Sequence, residues 1–307
     1  MADLSSVISQ MAILFLIVAV GYVAAKVGVF PANTNRVLSQ LVICVTNPCM
    51  VLYSVLGSQR QLTNREVLLL TAIAVASYAV LIALAQVLPR LLRCPKEDMG
   101  LYRFMTVFAN LGFLGFPVVA ALFGENAVFY AAIFNLVFQL LLNTYGVSLL
   151  TSGEGKPGFQ PKMLLSPLIV ASVLAYVCYL TDFRTPALVT DALGMLGKVT
   201  SPVCMLVIGV TLAGVPLSSA FTNWRLYVLS FVRLLVLPVG AWLLLRPFVT
   251  NPLMLGITVV MMGMPIAAMS SIMTAKYGGN QQLAASGVFL STLLSAFTIP
   301  FLMWVLF

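Results

Sequence analysis

Helix-breaking and polar residues come together in one long apolar segment of the chain. Asn110, Gly112, Gly115 and Pro117 all lie in a run that begins at Phe108. Proline removes a backbone donor and clashes with the carbonyl four residues earlier, while glycine tolerates an unwound backbone. A half-helix that starts at Pro117 would direct free amides and a partial positive charge at an anion. The run therefore predicts a site for an anionic solute, with an ordinary proline kink as the alternative.

The same kind of interruption recurs in the second half of the chain. Gly115-Phe-Pro117 is matched 148 positions later by Gly263-Met-Pro265, and Asn47-Pro48 is matched 154 positions later by Ser201-Pro202. Interrupted apolar segments at corresponding places of two halves are the best sequence pointer to a transporter's binding site. Pro265 is therefore predicted to line the site. The Asn47 amide, which can donate and accept, either binds solute or joins helices.

Other polar side chains in apolar segments are weaker candidates. Asn135, Gln139 and Asn143 are spaced by four and share one helical face, which lines either a cavity or a helix contact. Small hydroxyl groups that follow Pro265 bind solute or serve close packing, at Ser270, Ser271 and Thr274.

Arg233 is the one strong base that the sequence predicts deep in a span, and no acidic residue lies in a predicted span core. It is either the counter-charge for an anionic solute or a tie to backbone carbonyls of a neighbouring helix. Without a carboxylate at mid-membrane, coupling to protons through such a group is disfavoured, while sodium or no coupling ion stays open. With no histidine and with scattered cysteines, we expect no metal site and no cofactor, and an intramembrane enzyme lacks a catalytic pair.

Composition places these residues in a membrane. The 307 residues are 61% hydrophobic and 8% charged, with a mean hydropathy of +1.07. Soluble domains carry about 25% charged residues, so a water-exposed globule is excluded. The net charge of +8 comes from basic residues at span ends, which orient a protein in lipid, and we expect no nucleic-acid partner.

Apolar segments between breakers predict ten transmembrane helices in an all-α membrane protein. A Gly-rich linker at 153–161 separates a first repeat of five helices, 1–152, from a second, 162–307. An odd number of spans in each half makes the repeats inverted. Basic residues concentrate in the turns after odd-numbered helices, as at Arg90, Arg93 and Lys96, so both termini are predicted outside the cytoplasm of a cell membrane. The predicted helices run over roughly 5–28, 34–57, 65–90, 99–122, 127–150, 162–181, 188–214, 224–246, 251–276 and 280–306.

Taken in this order, the motifs resemble the auxin efflux carrier family of membrane transporters, over nearly the whole chain. The resemblance rests on Asn47-Pro48, the run from Asn110 to Pro117, Pro265 with Lys276-Tyr277-Gly278, and the Ser291–Ser295 run before Pro300. It implies that the fourth and ninth helices are broken and cross beside the solute site. It also implies a scaffold of helices 1, 2, 6 and 7, against which helices 3–5 and 8–10 move like an elevator.

The resemblance also implies the class of substrate. Members of the family carry small organic anions, auxin or dicarboxylates such as malate and malonate. The chain lacks the long central loop of the large plant carriers and is closer to the short, mainly microbial members. A sodium-coupled symporter of the bile-acid type, a channel and a sensor on the same scaffold are the alternatives, and a homodimer is left open.

Overall fold

The computed structural model describes residues 4–31, 33–57, 61–150, 165–215 and 221–307. Within these ranges the regular secondary structure is all helical and no strand forms, so the protein is an all-α membrane protein. The predicted linker at 153–161 lies outside the described residues. The helical segments are α1 Leu4–Lys26, α2 Thr34–Leu56, α3 Asn64–Leu91, α4 Met99–Val107, α5 Leu111–Phe123, α6 Glu125–Leu150, α7 Pro167–Thr181, α8 Ala187–Ala213, α9 Trp224–Leu245, α10 Pro252–Met262, α11 Met269–Tyr277 and α12 Gln281–Leu306.

Seven of these helices in the described part of the chain are long and apolar enough to span a membrane: α1, α2, α3, α6, α8, α9 and α12. α5, α7 and α10 are apolar but shorter. A helix rises about 1.5 Å per residue. The 15 residues of α7 therefore cover less than the roughly 30 Å of a hydrocarbon core. The count of ten transmembrane helices therefore stays a prediction.

Three of the helical segments, α2, α5 and α9, pass a proline without breaking. In each, a five-residue π-helical turn ends two residues before the proline. A π-turn bonds each carbonyl to the amide five residues on, so it relaxes the helix where proline lacks a donor. The turns are Val42–Thr46 before Pro48, Leu111–Gly115 before Pro117, and Val232–Val236 before Pro238.

One compact unit combines residues from both halves of the sequence: Met1–Ala72, Leu111–Leu136 and Leu165–Gly214. In this first unit α1 packs along α8, and α7 packs along α2. A Cβ on Gly209 would lie 2.2 Å from the Val18 carbonyl oxygen, and one on Gly21 would lie 2.6 Å from that of Leu206. The backbones of α1 and α8 therefore touch, as small residues allow between membrane helices.

The second compact unit comprises Ile73–Asn110, Val137–Leu164 and Val215–Phe307. Here α9 packs on α10 and α12, and α4 packs on the last turn of α6. Aromatic rings pack in its interior, where the ring of Phe108 lies tilted at 4.6 Å from that of Phe104 and meets Phe138 edge-on at 5.5 Å. α5, which is the second half of the predicted helix 4, belongs to the first unit. The resemblance instead implies that the whole of helices 3–5 is separate from the scaffold.

Candidate functional site

Two interruptions of the helical chain meet in the second unit. α4 ends at Val107 and the chain is extended at Phe108, with φ −94° and ψ 117°, before α5 begins at Leu111. The other interruption separates α10 from α11, between Met262 and Met269. The predicted fourth and ninth helices are therefore both broken. At each break, backbone amides and carbonyls lose the partners that a continuous helix would give them.

The two interruptions hydrogen bond to each other as an isolated antiparallel bridge. The amide of Asn110 donates to the carbonyl of Pro265 at 2.8 Å, and the amide of Ala267 donates to the carbonyl of Phe108 at 3.0 Å. The structure therefore brings together Asn110 and Pro265, two of the predicted site residues. Pairing between the extended segments satisfies backbone groups that a membrane interior cannot hydrate.

The position of the first interruption corrects the sequence interpretation. α5 begins at Leu111 and not at Pro117, because the π-helical turn before Pro117 lets the helix pass the proline. Gly112, Gly115 and Pro117 thus lie inside α5, and the prediction that a half-helix starts at Pro117 is wrong. The amides free at this helix start are those of its first turn, from Leu111 onward.

The matching of the halves changes accordingly. Pro265 lies in the interruption, so it is not the counterpart of Pro117. The residues that face each other are Ala109 and Ile266, which are 157 positions apart instead of the 148 read from the prolines.

Arg233 holds both interruptions from α9. Its side chain is 1% exposed. Nε donates to the carbonyl of Met264 at 3.1 Å. Nη1 donates to the carbonyl of Thr106 and lies 3.5 Å from the carbonyl oxygen of Met105. These carbonyls end α4 and follow α10. Each helix C-terminus carries the equivalent of about −0.5 charge, so two of them together offset one guanidinium.

That geometry favours the second account of Arg233, a tie to neighbouring carbonyls. It also explains how a buried cation is tolerated without a carboxylate beside it. The residue lies within the π-helical turn Val232–Val236, and such turns often mark functional positions. Its role as a counter-charge stays a prediction.

Ser291 of α12 supports the second interruption. Its hydroxyl accepts from the amide of Ile266 at 3.1 Å and donates to the carbonyl of Gly287 at 2.7 Å. The sequence analysis quoted Ser291 as part of a motif without giving it a role. Four-residue spacing from Gly287 is a common helical pattern for serine, so the sequence alone gave no sign of the contact with Ile266.

In the first unit Asn47 binds the start of α5. Its Nδ2 donates to the carbonyl of Gly112 at 3.2 Å, and the side chain is 1% exposed. The Asn47 Oδ1 has no hydrogen-bond partner among the described residues, nor do the buried hydroxyls of Thr46 and Thr200. Asn47 therefore joins α2 to α5, as one alternative predicted, and its binding of solute stays a prediction.

The polar stripe of α6 does not act as one group. Asn143 donates to the carbonyl of Gln139 at 2.9 Å, within the helix, while Gln139 is half-buried. Asn135 is fully buried, and neither polar atom of its amide has a partner in the described ranges. Ser270, at the start of α11, is likewise buried with an unpartnered hydroxyl. An unsatisfied buried amide needs an explanation, and a ligand is one.

The sequence analysis missed a second base deep in a helix. Lys198 lies eleven residues after the first residue of α8, about 17 Å along its axis. With Gln10, Glu125 and Ser201 it lines a cavity of about 260 Å³ in the first unit. The spacing of Lys198 from Pro186 is the sequence signal that could have found it, because it puts this residue well inside the helix. Among the described residues, no cluster of three or more metal-binding side chains occurs.

Comparison with known proteins agrees with these features. The chain matches the family described as Membrane transport protein over residues 6–161 and 157–303. It is 25% identical over 301 residues to an uncharacterized transporter of Methanocaldococcus jannaschii, covering 96% of this chain and 97% of that protein. It is 20% identical over 301 residues to a protein of Rhizobium meliloti named "Putative malonate transporter", covering 95% of this chain and 93% of that protein.

The family match extends over both broken segments and over the compact units that hold them. Together with the seven apolar helices, it establishes a multi-pass membrane protein of a transport family. The chain belongs to the Membrane transport protein family, the auxin efflux carrier family that its motifs indicate.

Proposed function

We propose that this protein is a secondary transporter of a small organic anion, a mono- or dicarboxylate. The observation that carries the proposal is the pair of broken helices joined through Asn110 and Pro265. Irregular backbone at membrane depth is tolerated where it is buried in protein or lines a cavity, and transporters use it to bind solute. The name of the Rhizobium relative supports a carboxylate as the solute.

The solute is proposed to bind at the free amides of α5, which start a helix and favour negative charge. The unsatisfied amide of Asn135 can donate to the carboxylate, and the free Oδ1 of Asn47 can accept from a donor group elsewhere on the solute. Both residues lie in the same compact unit as α5. In the second unit, Asn110, Gln139, Pro265 and Ser270 are proposed as solute contacts in their own right. Gly112, Gly115 and Pro117 act by shaping the first turns of α5.

The proposed architecture is two inverted repeats of five transmembrane helices in a cell membrane, with both termini outside the cytoplasm. The packing of α1 on α8 and of α7 on α2 supports the repeats. With the 154-residue offset between the repeats, α1 corresponds to α7 and α2 corresponds to α8. A twofold axis that relates the repeats would therefore convert the α1–α8 contact into the α7–α2 contact. The division of the chain into two compact units supports elevator-type alternating access, in which one unit moves as a body.

Uptake into proteoliposomes tests the proposal. Purified protein should give saturable uptake of labelled malonate or malate, and unlabelled solute inside the vesicles should accelerate entry of label. Acceleration by internal solute distinguishes a carrier from a channel, and dependence on a sodium gradient identifies a sodium symporter. Absence of saturable uptake across a panel of mono- and dicarboxylates would overturn the proposal.

A further inference from the structure

The cavity beside Lys198 lies wholly within the first unit, between α1, α2, α5, the start of α6 and α8. Its volume is about 260 Å³, at the lower end of the roughly 300–1,000 Å³ of sites for drug-sized ligands. The lining combines apolar residues, among them Pro117, Ala120 and Ala121 of α5, with polar and charged residues from other helices. A small solute with a short apolar skeleton and polar ends suits this lining.

Two opposite charges line the cavity without pairing. Lys198 and Glu125 make no ion pair with each other, and neither side chain hydrogen bonds to another described residue. The Lys198 side chain is exposed and that of Glu125 is half-buried, so neither charge is sealed inside the protein. Both groups are therefore open to a polar solute that enters the cavity.

The charge pattern defines the ligand's chemistry. An ammonium group binds a carboxylate, and a carboxylate accepts a hydrogen bond from a hydroxyl or an ammonium group. A solute with a carboxylate at each end would place one of them against Glu125, which repels it. Gln10 and Ser201 add neutral groups that donate and accept.

We propose that this cavity binds a small carboxylate that carries a hydrogen-bond donor on its carbon skeleton. Lys198 takes the carboxylate and Glu125 accepts from the donor. This inference rests on the proposed transport of organic anions and narrows its substrate class. It predicts that this chain prefers hydroxy- or amino-carboxylates to malonate, unlike the activity named for the Rhizobium relative.

Four probes of similar size test the inference by titration of detergent-purified protein. Propionate has no donor, lactate has a hydroxyl, alanine has an ammonium group, and malonate has a second carboxylate. We expect lactate or alanine to bind at least tenfold more tightly than propionate and malonate. Which of the two binds more tightly identifies the donor.

Two variants separate the charges. Lys198→Gln should weaken binding of the preferred probe at least tenfold, and Lys198→Arg should keep most of it. Glu125→Gln should keep affinity for propionate, lose the preference for a donor, and bind malonate more tightly than wild type does. Lys26→Gln and Glu97→Gln, which lie outside the cavity, are the matched controls and should leave all four affinities unchanged.

The outcomes distinguish this inference from the proposed function. Equal affinities for the four probes overturn the inference, as does a folded Lys198→Gln protein with wild-type affinity. Glu125→Gln decides the donor contact even if Lys198→Gln does not fold, and an unchanged preference in it refutes that contact. If the wild-type protein takes up carboxylates and both variants keep the wild-type affinities, the inference fails and the proposed transport stands. If it takes up none, the proposed function fails first.

Discussion

Arg233→Gln tests whether a buried guanidinium fastens the two helix interruptions or attracts the solute. The variant loses two hydrogen bonds from a charged donor, to the carbonyls of Met264 and Thr106. At the lower bound of about 1.5 kcal/mol for each such bond, the loss is about 3 kcal/mol. At roughly 2–4 °C per kcal/mol, we expect the melting temperature to fall by about 6–12 °C.

Arg233→Lys should recover part of that loss. Lysine keeps the charge near the helix C-termini, but it lacks the planar fork that reaches two carbonyls at once. Melting temperature and carboxylate affinity are measured on the same detergent-purified samples. The surviving folded protein should bind with wild-type affinity.

Arg246→Gln is the matched control, because Arg246 ends the same helix, is exposed, and stacks on Trp242 at 4.6 Å. It should melt close to wild type. The reasoning is refuted if Arg233→Gln melts within about 2 °C of wild type while affinity falls tenfold or more. That result would make Arg233 the counter-charge.

Three further predictions concern binding, thiol reactivity and topology. Asn110→Ala should weaken solute affinity and leave melting temperature unchanged, because the bridge uses the backbone amide of Asn110; wild-type affinity in the stable variant would remove it from the site. Cys94 lies in the loop before α4, and burial raises the pKa of its thiol to about 11. The charge of Arg225 lowers this pKa, but by less than burial raises it. The thiolate is the form that maleimide attacks, so labelling at pH 7.5 should be slow and should rise about tenfold per pH unit towards pH 11; fast labelling at pH 7.5 would contradict this. In a cysteine-free background, Asp98→Cys should be labelled from the cytoplasm and Asp182→Cys from outside; the reverse would invert the assigned topology.

The residue types of the broken segments were predictable, but the place of the first break was not. Asn110 and Pro265 were chosen because polar and helix-breaking residues are costly in an apolar span. Pro117 was taken as the break because proline usually stops a helix, whereas a π-helical turn absorbs it. Whether a proline breaks or bends a helix depends on packing around it, which one sequence does not contain.

The two bases inside long helices, Arg233 and Lys198, show a similar limit. Arg233 was recognised by its depth, yet its partners are backbone carbonyls, which carry no sequence signal. Lys198 was overlooked because its depth depends on where α8 begins, and helix boundaries are the least certain part of a sequence prediction. Its relation to Glu125 required the folded chain, since the two residues are far apart in sequence.

The π-helical turns also change how side chains along these helices should be counted. Each such turn holds about one more residue than an α-helical turn, so positions beyond it are rotated by about 100° about the axis. A helical wheel drawn through α2, α5 or α9 therefore assigns the far half to the wrong face. Cysteine or tryptophan scans of these helices should restart their periodicity after Thr46, Gly115 and Val236. Read without that restart, a water-lined face would be mistaken for one that contacts lipid.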